Sequence, residues 1–174
     1  GAIDFLATNV AKDDQKTVYI QNGTYEELLF LRGVNNVAFK GESKDGVVIR
    51  YDNYDGLNAG TGGSFATGAL TVGSTVTQSG GRALFLIESA NNIRFESLTI
   101  ENTHIKTGKG DQAEVLYANN DNKSIAFVNC NLLSYQDTLN LKGFCWFYNC
   151  LIAGDTDFIW GSPAAALFEK CEIR

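Results

Sequence analysis

Two aspartates, Asp137 and Asp157, each stand ten residues after a phenylalanine, Phe127 and Phe147, and each phenylalanine sits in a similar apolar segment. If those segments are successive coils of a repeat, the carboxylates share one position on neighbouring coils, with backbones about 5 Å apart. Like charges at that separation repel by about 3 kcal/mol at an effective dielectric near 20. One carboxyl then titrates abnormally high, which leaves an acid beside a base. Such a pair can supply a nucleophile and an acid/base to a sugar or to an ester. The plain alternative is a solvated Asp ladder on a coil edge. Against it, Asp137 is followed by Thr-Leu-Asn-Leu and Asp157 by Phe-Ile-Trp-Gly, flanks more apolar than an idle surface carboxylate needs. Strand alternation would put Asp137 on the side of Leu139, so the direction of the carboxylates stays open.

Other chemistries find less support. The single histidine, His104, has no basic cluster or cysteine nucleophile motif around it, and a structural or solvent-facing role is expected. No Ser-His-Asp set and no His/Cys metal spacing occurs. Asp52, Asp55 and Asp111 lack the spacing of a calcium loop. No metal and no cofactor is therefore expected. A net charge of −6 and a pI near 4.7 exclude a nucleic-acid partner, which would need clustered Lys and Arg. No apolar run approaches the roughly 18 residues of a membrane span.

The elements that must position the pair are repeats. Ile93-Arg-Phe-Glu-Ser-Leu-Thr-Ile100 superimposes on 125–132, 145–152 and 166–173, with phenylalanines at 95, 127, 147 and 168. The steps are 32, 20 and 21 residues, the longest carrying an insertion around residues 102–114, and a repeat of about 20 residues indicates a solenoid. Within each segment the apolar positions advance by two, three and two, which reads as two short strands joined at a corner. This describes an all-β chain, a parallel β-helix, in one domain over 1–174. Leu98, Cys130, Cys150 and Cys171 fall on one inward position, preferred as a buried thiol ladder although coils about 4.8 Å apart are also within disulfide range, and Cys145 matches Ile93 and Ile125. Asn129 and Asn149 share the corner, where Asn adopts a left-handed conformation and bonds its stacked twin. Residues 2–7 read as the remnant of an amphipathic helix. The stretch 53–82, with eight of the 18 glycines, reads as a decorated loop or a pair of weak strands. With Gly1 first and no methionine, the chain is expected to be a processed or excised piece.

Four blocks in order, Gly-Thr-Tyr-Glu-Glu (23–27), Gln-Ala-Glu-Val-Leu (112–116), Gln-Asp-Thr-Leu (136–139) and Asp-Phe-Ile-Trp-Gly (157–161), resemble the signature blocks of the pectin methylesterases. The resemblance runs over nearly the whole chain and implies a right-handed parallel β-helix that removes methyl esters from the galacturonate units of pectin. It implies Asp157 as nucleophile, Asp137 as acid and then base, and Gln112 and Gln136 as oxyanion donors. Tyr25, Phe158 and Trp160 would contact the substrate, Trp160 standing where the family usually has Phe. Methyl-esterified pectin is the implied partner, a monomer is expected, and the substrate implies an extracellular or periplasmic location. The family's later Leu-Gly-Arg-Pro-Trp block is missing, so the β-helix is expected to be incomplete at its C-terminus. A β-helical glycosidase, a catalytically impaired polysaccharide-binding relative and a thioesterase-like enzyme remain as alternatives.

Overall fold

A computed structural model describes residues 1–57, 81–107 and 111–174. Helix α1 (Ala2–Asn9) buries Leu6 in the core at the front of a stack of coils. The first coil is β1 (Lys16–Ile20), β2 (Gly23–Glu26) and β3 (Leu29–Arg32). The second is β4 (Val37–Gly41), β5 (Val47–Tyr51) and β6 (Phe85–Glu88), and the third is β7 (Ile93–Glu96), β8 (Thr99–Asn102) and β9 (Leu116–Asn119). The fourth runs through β10 (Ser124–Val128) and β11 (Asn131–Leu133) into β12 (Leu139–Tyr148). β12 continues into the fifth, with β13 (Leu151–Ala153) and the start of β14 (Ile159–Glu169), before β15 (Glu172–Ile173). Every pairing among the described residues is parallel, coil upon coil, and the result is a parallel β-helix.

Each coil carries three strands where the spacing predicts two. The additional face is β3–β6–β9–β12, with β14 beside β12. It escaped the repeat because β12 and β14 are long strands that serve two faces. β12 turns between them at Gly143, in the left-handed region (φ 74°), and the β14 register shifts there by one residue. Most of the Gly-rich stretch, 58–80, lies outside the described residues.

The repeat register itself is as the spacing predicts. Phe39, Phe95, Phe127, Phe147 and Phe168 form one interior stack, with successive ring centroids 4.6–5.3 Å apart and planes within 11° of parallel. Offset aromatic stacking adds to the apolar burial that holds coils together. Cys145 pairs in register with Ile125, and Ile125 with Ile93. Leu98, Cys130 and Cys150 are buried one above another, Cys171 follows, and all four cysteines are free thiols.

The corners explain the advance of three. Ser97, Asn129, Asn149 and Lys170 all have φ between 53° and 55°. Asn149 Nδ2 donates to Asn129 Oδ1 (3.2 Å), and Asn129 Nδ2 to Ser97 Oγ (3.1 Å), so the side chains cross-link successive corners. Asn tolerates this backbone better than residues without a short polar side chain. Asn149→Ala is expected to cost about 1–2 kcal/mol, from left-handed strain plus one lost hydrogen bond, read by urea unfolding. Among the described residues no helix is long and apolar enough to cross a membrane.

Candidate active site

The two aspartates sit where a coil turns from the second face to the third. Asp137 precedes β12 and Asp157 precedes β14. Leu139 pairs with Ile159 across the coils, and Asp137 N–H donates to Thr156 O (3.0 Å). The carboxyl-bearing residues therefore stand one coil apart, as their spacing requires. Both are left-handed, φ 58° and 50°. That conformation breaks the strand alternation, which is why period two could not decide where the side chains point.

Their surroundings differ. Asp137 is 2% exposed, whereas Asp157 is exposed to solvent. Burial pushes the Asp137 carboxyl up to about 6; the carboxylates of Asp157 and Asp55 push the same way, and Arg82 and Lys106 pull it back. Asp137 Oδ2 has no hydrogen-bond partner among the described residues, and Arg82 Nη2 lies 4.0 Å from it. Gln136, next to Asp137, is buried.

Arg82 is the residue that joins the pieces. Its Nη1 donates to Gln112 Oε1. Its Nε lies 2.8 and 2.9 Å from the two carboxylate oxygens of Glu114, and its guanidinium carbon lies 5.7 Å from the centre of the Trp160 ring. Tyr117 meets the same indole edge-on at 6.2 Å, and Tyr117, Asn140 and Trp160 are cross-strand partners on the third face. Gly161 secures this position. Its φ is 112°, and a Cβ there would collide with the Leu141 carbonyl, so only glycine lets β14 lie this close to β12.

Arg82 thus brings Gln112, Trp160 and Asp137 together, with Asp157 one coil away and Gln136 beside Asp137 in the chain. Phe158 is partly buried and packs against the core. Tyr25 is not brought in. It sits on the first coil, its hydroxyl donates to Gln21 O (2.7 Å), and its ring packs on the core, several coils from Asp157 on the β2–β5–β8–β11–β13 face. His104 takes the structural role expected. It is buried, its Nδ1 lies 2.9 Å from Asp52, and its ring stacks on Tyr54 at 3.8 Å. Arg82 and Glu114 were missed. The usable signal was a charged residue bordering or interrupting an apolar run, in Arg-Ala-Leu-Phe-Leu-Ile (82–87) and Ala-Glu-Val-Leu (113–116).

A carboxyl that keeps its proton up to about pH 6, a second exposed carboxyl one coil away and a side-chain amide with a fixed carbonyl can together perform acyl transfer. Comparison with known proteins agrees with that chemistry. The chain is 26% identical over 173 residues to "Probable pectinesterase A" of Aspergillus niger, which covers 99% of this chain and 46% of the relative. The pectin methylesterase PemA of Erwinia chrysanthemi superimposes with a TM-score of 0.76 at 32% identity, covering 98% of this chain and 49% of that one. A pectin methylesterase solved in complex with a hexasaccharide matches equally well, TM-score 0.76 at 32% identity over the same shares. The chain spans about half the length of the curated relatives it matches. The Pectinesterase family model matches residues 2–174, and the chain belongs to that family.

Proposed function

We propose that this chain carries the catalytic centre of an ester hydrolase that removes methyl esters from the galacturonate units of pectin, releasing methanol and pectate. The observation that carries the reading is the contrast between a buried Asp137, held up near 6, and an exposed Asp157 one coil away. The Asp157 carboxylate attacks the ester carbonyl carbon, and the charge on the carbonyl oxygen is met by N–H donors of Gln112 and Gln136. Collapse breaks the bond to the methoxy oxygen, which takes the Asp137 proton and leaves as methanol. Water then attacks the resulting acyl-aspartyl anhydride and gives a proton to Asp137. The free galacturonate acid departs and Asp157 is restored.

The Gln112 roles agree with its environment. An arginine is a donor only, so the amide oxygen must face Arg82 and the N–H₂ group faces away from it, free for an oxyanion. Trp160 offers an aromatic plane for a sugar ring. The relative solved with a hexasaccharide supports a polysaccharide substrate. Pectin lies outside cells, so the protein acts extracellularly or in a periplasm.

Methanol and new reducing ends, measured together on densely methylated pectin with the complete gene product, test the proposal. Methanol without reducing ends is expected. Reducing ends without methanol would replace the esterase by a glycosidase.

A further inference from the structure

We propose that Arg82, anchored by Glu114, is a positioning residue of this site: it fixes the orientation of the Gln112 amide and supplies the positive charge against which Asp137 releases its proton. The inference rests on the esterase reading for its role in turnover, but its geometry stands alone. Arg82 is 7% exposed and Glu114 is fully buried. A buried ion pair is weak evidence for stability, because well-packed apolar residues of similar volume often serve as well or better. This pair therefore needs another reason to lie here, and its remaining contacts provide one. The guanidinium satisfies Glu114 through Nε and Nη2, reaches Gln112 with Nη1, and leaves Nη2 4.0 Å from the unpartnered Asp137 oxygen.

Both ends are pinned from behind by buried amides. Asn53 Nδ2 donates to the carbonyls on either side of Arg82, Gly81 O (3.0 Å) and Ala83 O (2.9 Å). Asn102 Nδ2 donates to Glu114 O (3.1 Å) and to Asn53 O (2.8 Å). With backbone and head both held, the guanidinium cannot swing to follow a substrate; it acts as a fixed charge and a fixed donor, the arrangement that preorganisation requires. The charges facing Asp137 are Arg82 and Lys106 on one side of the balance and Asp157, Asp55 and Glu114 on the other, so removing Arg82 leaves the negative groups dominant. Burial also pushes Glu114 up, to about 7; the Arg82 contacts oppose it, and the Asp137 carboxylate pushes the same way as burial.

The test is the double variant Arg82→Met/Glu114→Gln, which removes both charges at nearly constant volume. The Asp137 carboxyl is titrated by carbon NMR in the wild type and in the variant, and kcat and KM on pectin are measured for both. The variant is expected to titrate higher, because the Arg82 charge outweighs the opposing Glu114 carboxylate at Asp137, by up to about one pH unit, a tenfold gain in proton affinity. Its kcat should fall by roughly 10- to 100-fold with KM little changed, the mark of a lost transition-state donor. A wild-type titration in the folded variant overturns the inference. If circular dichroism shows the double variant unfolded, Arg82→Lys decides: it keeps the charge but loses the fork, so the Asp137 titration should hold while kcat falls, and an unchanged kcat overturns the positioning role. A wild type that releases no methanol sinks the esterase reading instead, and the titration still judges the charge of Arg82.

Discussion

Asp157→Asn is expected to lower methanol release from pectin by at least about a thousandfold, with little change in melting temperature. An amide oxygen cannot form the acyl-aspartyl intermediate, so the two-step route closes, and only rate enhancement from binding and the oxyanion donors survives. The fold should tolerate the change for a local reason. Asp157 is exposed at a left-handed corner (φ 50°), a conformation that Asn accepts as readily as Asp. Loss of activity with loss of structure would therefore be a surprise, and the two are separated by recording circular dichroism on the same sample. Methanol release at the wild-type rate from a folded variant removes Asp157 from the nucleophile's role.

Asp137→Asn should cost about 10²–10⁴-fold, because the group that protonates the leaving methoxide is gone. Its wild-type pH profile has a direction that follows from burial. Asp137 must hold a proton when the substrate binds, and it does so below about 6. In the wild type kcat/KM should then fall about tenfold per pH unit above that value, and the residual activity of the Asn variant should lack this limb. Stability carries the same signature. The folded-state value lies above the ordinary 3.8, so the folded protein binds the proton more tightly than the unfolded chain. That contribution is fully present below about 4 and is lost as pH rises through 6. Asp137→Asn should consequently melt higher than the wild type at pH 8, and the difference should shrink toward pH 4. A wild-type advantage at pH 8 would contradict the burial argument.

The aspartate pair was legible because a solenoid converts sequence period into spatial position. Phe127 and Phe147 stack, so everything ten residues further on stacks with them. The corner asparagines were legible for the same reason. What could not be read was anything that depends on backbone direction or on distant coils. Asp137 and Asp157 depart from strand geometry at one residue each, and no alternation rule anticipates a single left-handed residue. Arg82 and Glu114 are 32 residues apart, separated by insertions that interrupt the repeat, and although each borders or interrupts an apolar run, nothing in the sequence pairs them until the coils are stacked. The third face was hidden because the turn at Gly143 lies inside one continuous strand. Tyr25 belongs to a recognisable block, yet a block's place in the chain does not reveal which coil bears the chemistry.

The separation of Asp137 and Asp157 is one lap of the chain, measured by residue count rather than by the shape of a loop. The catalytic distance is thus geared to the length of a single turn. Removing one residue between Thr138 and Thr156 keeps both aspartates in the sequence and takes them out of alignment. Removing one ahead of the third coil leaves the spacing of the pair itself unchanged. Length variation in such a chain is tolerated or forbidden coil by coil, and the forbidden lap is the one that the two carboxylates enclose.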